Sequence, residues 1–253
     1  MGEFRAFLTL LILSTAILAV SQQDQPSLSG ALIGFDQEHD LAKKEYRLLA
    51  LTQHYPNAGS ALLNLAKSTR NPDTRWMSMR GMRDLHYVRC EAFLKQSLLD
   101  HDSLVRANAA RVLGDLGLKD AEKDLLVMFA AENDPMAVEQ ASLALRVLNV
   151  RAAAPSIRKK IPHYTWQTRA WLLQALGALG DKSDVPLIAG YLNSSDNATA
   201  QMSTDALEQL AGLHFGPSPF GPEGFPTQRM LESRLWWQSH KDAWPRCDDC
   251  HFR

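Results

Sequence analysis

The chain has 253 residues, 45% of them hydrophobic, and a formal charge of −1. This is an ordinary globular composition with enough apolar material for a packed core. Near-neutral charge gives no electrostatic reason to expect nucleic acid as a partner.

Residues 1–21 read as an export signal peptide. Arg5 and the terminal amine precede the apolar run Ala6–Val20, which only Thr9, Ser14 and Thr15 interrupt. Ala19-Val20-Ser21 meets the small-x-small rule and places the cut before Gln22. The run falls short of the roughly 20 apolar residues of a membrane span. An uncleaved N-terminal anchor is the alternative. No Cys lies near the cut, which argues against a lipidated form. The expectation is an exported protein, periplasmic or extracellular, without a membrane span after cleavage, where thiols oxidise. Residues 22–39 are polar and read as a loose lead-in. In 40–70, Leu41, Tyr46, Leu48, Leu49 and Leu51 suit one helix, and Leu62, Leu63, Leu65 and Ala66 a second, with Tyr55-Pro56-Asn57 between. The pair is an N-terminal cap or a degenerate repeat, because end repeats must meet water on one face.

From Asn71 a pattern recurs. Asp102 suits an N-cap, and Leu104, Val105, Ala109, Val112, Leu113 and Leu116 follow at helical spacing. Gly114 and Gly117 bring that helix to its end between them. The equivalent caps are Asn71, Asp102, Asp134, Thr165 and Asp196, so the steps are 31, 32, 31 and 31 residues. A second apolar segment lies between successive long helices, such as Leu125, Leu126, Met128 and Phe129. Each unit is therefore a helical hairpin, and residues 71–214 are a repeat array.

The pattern D-x-x-V-R-x-x-A-x-x-x-L-G-x-L-G at Asp102–Gly117 resembles the HEAT-like repeat family, in its short bacterial form first associated with phycobilisome lyases. The resemblance extends from Asn71 to about Gly212. Met82-Arg83 in the first unit and Leu207-Glu208 in the last depart from its Leu-Gly pair. It implies an all-α, right-handed α-solenoid of about five to six hairpins, and it implies no lyase activity. Residues 215–227 hold four Pro and three Gly among thirteen, with Phe215, Phe220 and Phe225 spaced through them. They read as an ordered loop that pins its rings on the end of the array. Residues 228–253 begin with Met230, Leu231, Leu235, Trp236 and Trp237 at helical spacing, a Trp-rich capping helix of a kind the resemblance also implies.

Motifs for catalysis and metal binding are missing: there is no nucleophile elbow, phosphate-cradling loop or zinc helix. Asp36, Glu38, His39 and Asp40 form a small acidic cluster that reads as a solvated helix start. Arg75, Arg106 and Arg169 share one repeat position and read as links to carboxylates or helix ends of neighbouring units. The sequence thus points to a non-enzymatic scaffold that binds a protein partner of the cell envelope through its concave face. By the resemblance, one column faces that groove: Met77, Asn108, Gln140, Trp171 and Met202. Its large apolar members are candidate anchors for the partner, or they pack against the adjacent unit. The alternative function is electron transfer or redox sensing. Cys247-Asp248-Asp249-Cys250-His251 matches C-x-x-C-H, in which two thiols hold a haem covalently and the His ligates its iron. A local disulfide or a weak metal-binding end are the other readings of Cys247 and Cys250.

Overall fold

The described residues of the computed structural model, 27–216 and 227–244, form helices and their connections, with no strand among them. In chain order the helices are α1 (Leu28–Gln37), α2 (Leu41–His54), α3 (Gly59–Ser68), α4 (Pro72–Asp84), α5 (Glu91–Ser97), α6 (Ser103–Asp115), α7 (Glu122–Ala131), α8 (Pro135–Val147), α9 (Ala154–Lys160), α10 (Trp166–Leu179), α11 (Val185–Ala189), α12 (Asn197–Ala211) and α13 (Gln228–His240). They pair as six hairpins from α1–α2 to α11–α12, and α13 closes the end. The export signal of residues 1–21 lies outside the described residues. The loose lead-in of 22–39 needs correction: its described part is helix α1, capped by Ser27. Phe35 of α1 is wholly buried, and that burial orders the segment.

Five of the six joints between a hairpin's two helices are closed by side chains. Asp40, Asn71, Asp102, Asp134 and Asp196 accept hydrogen bonds from free N–H groups in the first turn of the long helix. A second acceptor stands two residues earlier. Glu38, Thr69, Asp100, Glu132 and Ser194 each take the cap residue's own N–H, at 2.9–3.2 Å. Asp40 lies 31 residues before Asn71, so α1–α2 is a full unit of the same period. The fifth joint differs. Thr165 makes no side-chain cap bond, His163 stands where the second acceptor would be, and Trp166 is driven to φ 56°. The long helices α4, α6 and α8 end alike. His86, Gly117 and Asn149 adopt positive φ. The next residue's N–H returns to the carbonyl of Met82, Leu113 or Leu145 at 2.8–3.0 Å, the Schellman pattern.

One position per unit forms the seam of the core. Leu51, Met82, Leu113, Leu145, Leu176 and Leu207, each eleven residues after its cap, are at most 1% exposed. The long helices also stack on one another. Two of these contacts depend on glycine. A Cβ on Gly114 would lie 2.7 Å from Ala144 Cα, and one on Gly177 would lie 2.6 Å from Ala206 Cα.

The two ends of the stack differ. Three and seven residues after the cap, five units carry buried small or apolar residues such as Val105 and Ala109, whereas α2 carries exposed Lys43 and Arg47. These charges face the place of a preceding unit, as an end repeat requires. At the other end α13 lies on α12. Met230 is buried, Thr204 and Ser233 share a hydrogen bond of 3.1 Å, and Arg229 pairs with Asp205 and Glu208. Phe215 packs 6.1 Å from Trp236, and Trp244 Nε1 donates to the Lys182 carbonyl at 3.1 Å. The Trp-rich helix is therefore a cap. Phe220 and Phe225 lie outside the described residues.

Gly114→Val should lower stability by about 1–3 kcal/mol through overpacking, despite valine's better helix propensity. Leu145→Ala should cost about 2–5 kcal/mol. Leu231→Ala, on the open side of α13, should stay within about 0.5 kcal/mol. Urea melts followed by circular dichroism compare the three.

Candidate functional site: the outward face of the long helices

Each long helix packs on its short partner and on the long helices before and after it. The remaining side meets solvent. It is formed by the residues two, six, nine and thirteen after each cap, a stripe set by the helical period.

The expected groove column is placed as follows. Met77 is a correction: it is 1% exposed and belongs to the core. In α4 the outward stripe keeps its places at Asp73, Arg80 and Asp84, and only its second place changes, where Met77 is buried and Trp76, one residue earlier, is partly exposed. Trp76 takes the outward place. Its Nε1 donates to Asp73 at 3.1 Å, and the Arg80 guanidinium lies 5.7 Å over its ring. Asn108 donates to the Leu104 carbonyl at 2.8 Å, and Gln140 accepts from Arg111 at 3.3 Å. Trp171 and Met202 are half-buried on the outward side, with Met202 also packed against the core.

The three recurrent arginines are engaged within the array. Arg75 donates to Asp100 at 2.6 Å and to the Thr69 carbonyl at 3.1 Å. Arg106 holds Glu132 with two bonds, of 2.6 and 3.0 Å. Arg169 donates to the Ile161 carbonyl at 3.3 Å and lies over Tyr191. Burial pushes the Glu132 pKa up, but Arg106 and the Asp134 and Asn133 amides outweigh it and hold it below the usual carboxylate range. Glu208 is lowered in the same way, burial being overcome by Arg229 and the Phe215 amide. In the acidic cluster Glu38 and Asp40 serve the first joint, and Asp36 accepts from Thr69. No group of three or more His, Cys, Asp or Glu among the described residues could hold a metal. Cys90 is buried, and desolvation pushes its thiol up to about 11, so it is a packing residue. Cys247, Cys250 and His251 lie outside the described residues.

Charge divides the outward face. In its first half Arg80 meets Glu45 at 2.7 Å, Arg83 meets Asp84 at 2.8 Å and Asp115 at 3.6 Å, and Arg111 meets Asp115 at 2.8 Å. At the far end Arg229 takes Asp205 and Glu208. Between them, over α8 and α10, the outward positions carry no charge, and apolar residues share them with Gln140, Gln167 and Gln174. Met136 is 49% and Val147 52% exposed, with half-buried Leu143, Trp171 and Ala178 beside them. Trp166 stands 75% exposed at the rim. Reading a single column missed Met136 and Val147, which all four outward positions of the stripe reveal. A cavity of about 680 Å³ lies elsewhere, on α1–α2 beside Tyr46 and Leu51.

Residues 59–146 match the family model for HEAT repeats. The fold is similar to that of the complex of CpcE and CpcF of phycocyanin lyase from Nostoc sp. PCC7120. That match has a TM-score of 0.53 at 20% identity, covering 74% of this chain and 77% of that one. It is also similar to an engineered protein, with a TM-score of 0.50 at 14% identity, covering 74% of this chain and 98% of the other. These likenesses show the fold. A search of curated proteins finds no match.

The depressed pKa values of Glu132 and Glu208 carry a pH dependence. A carboxylate held below its unfolded pKa stabilises the fold above the unfolded value, and that contribution is lost as pH falls through the folded one. Glu132→Gln should therefore melt lower than the parent at pH 7, and the gap should close as the solution is acidified through the carboxylate range. Thermal melts across that range check this.

Proposed function

We propose that this chain is a scaffold that holds a protein partner on the outward face of its long helices, over α8 and α10. The observation that carries this reading is the break in the ionic lattice. Elsewhere on the face the charged side chains are tied to one another; here exposed Met136 and Val147 stand with half-buried Leu143 and Trp171. Apolar side chains released from water at the centre of a contact supply most of the energy of an interface. A repeat array presents such a face rigidly, because each unit is fixed by its neighbours. The Nostoc protein of similar fold is part of a complex, which fits this use of the architecture. The apolar run of residues 1–21 supports export, with the partner in the cell envelope. A second reading rests on one motif: C-x-x-C-H at Cys247–His251 supports a covalent haem c. A Soret band that survives denaturation of protein from the native envelope would support it, and a colourless protein would end it.

Site-specific photo-crosslinking in the native host tests the scaffold reading. A photoreactive residue at Met136 or Val147 should trap one discrete partner, while one at Leu231, exposed on α13, should not. Met136→Glu should abolish the adduct formed from position 147. It should change stability by no more than about 0.5 kcal/mol, as expected of an exposed site. Adducts that form equally at Leu231, or at no position, contradict the reading.

A further inference from the structure

We infer that Arg146 is the charge-reading element of this face, and that the partner inserts a carboxylate beside an apolar side chain to meet it. The inference rests on the docking face proposed above and adds the chemistry of what docks there.

Twelve residues after the cap, the long helices from α4 to α10 alternate between arginine and glycine. Gly114 and Gly177 let the next helix come close. Arg83 and Arg146 stand at the other two joints of this series, from α4 to α6 and from α8 to α10. Arg83 is neutralised by the residues thirteen after the cap, its own neighbour Asp84 at 2.8 Å and Asp115 of the next unit at 3.6 Å. At the Arg146 joint those two positions are Val147 and Ala178. Both carboxylates that the repeat supplies to Arg83 are replaced by apolar residues. Among the described residues Arg146 has no side-chain hydrogen bond and no ion pair. It is half-buried, one residue before Val147 of the outward stripe.

A half-buried guanidinium with vacant donors and no carboxylate beside it is a poor end state and a good receptor. A carboxylate meets it with two parallel hydrogen bonds, and the flanking apolar side chains remove water from the pair. The vacancy fits an Asp or Glu next to a Leu, Ile or Phe of the partner. A nucleic acid would need a row of cations along its phosphates, and this joint offers one.

Panning a phage-displayed library of random peptides about 12 residues long against the full chain tests this. Peptides that bind the face, recognised by their loss on Met136→Glu, should carry an acidic residue beside a large apolar one. A resynthesised hit should lose at least about tenfold in affinity on Arg146→Gln, since a charge-assisted hydrogen bond is removed. The same loss should follow when its own acid is made an amide. Val147→Asp restores inside the chain the pairing that Arg83 has, so it should close the site equally while leaving the melt unchanged. Face-binding peptides that lack an acid, or that bind Val147→Asp as tightly as the parent, overturn the role of Arg146 and leave the docking face standing. Failure of any peptide to enrich on the face overturns both.

Discussion

The joint between the short and long helix of each unit is the constraint on which the rest depends. Its hydrogen bonds are local: an Asp or Asn takes the free N–H groups of the helix it starts, and an acceptor two residues earlier takes the N–H of that cap. Helix ends leave such groups unsatisfied, and burying them unpaired is costly. Because the same bonds recur at the same interval, each long helix leaves its joint in the same direction. Positions counted from the cap then have matching environments in most units. The buried seam from Leu51 to Leu207 and the outward stripe both follow from that.

Departures from the repeat matter more than its regularity. Where the cap and its second acceptor are both replaced, at Thr165 and His163, the backbone of Trp166 turns left-handed and its ring stands in solvent. Such a conformation in a bulky residue is strained. Where alanines or small hydroxyls would be buried against a neighbour, Lys43 and Arg47 end the stack. Where Asp84 and Asp115 neutralise Arg83, Val147 and Ala178 leave Arg146 unpaired. In each case a short-range rule is broken at a surface that meets water or can meet another molecule.

Much of this was legible in the sequence. Caps and period are carried by side chains that act on their own backbone, so five long helices could be placed from residues alone. The engagement of Arg75, Arg106 and Arg169 followed from their repeat position. The capping role of Met230 and the tryptophans followed from the exposed end of the array. Helix α1 did not, because its order rests on burying Phe35, with Lys44 of α2 over its ring, and not on an apolar periodicity of its own. Met77 was misplaced for a related reason. It is 1% exposed, and that burial depends on how the units pack, which a count from the cap does not contain. The vacancy at Arg146 became visible only when the partners of Arg83 were known.

The outward and inward registers differ in their methionines, which makes them reporters of the face itself. Mild peroxide oxidation read by peptide mass spectrometry, on the purified protein and in native host cells, compares them directly. Exposure controls such oxidation. Met136 should oxidise first in the purified protein, and Met77, Met79 and Met82, none more than 1% exposed, should be protected. In cells Met136 should become protected as the partner covers it. Oxidation of Met77 as fast as Met136, or a Met136 equally reactive in both settings, would contradict the account.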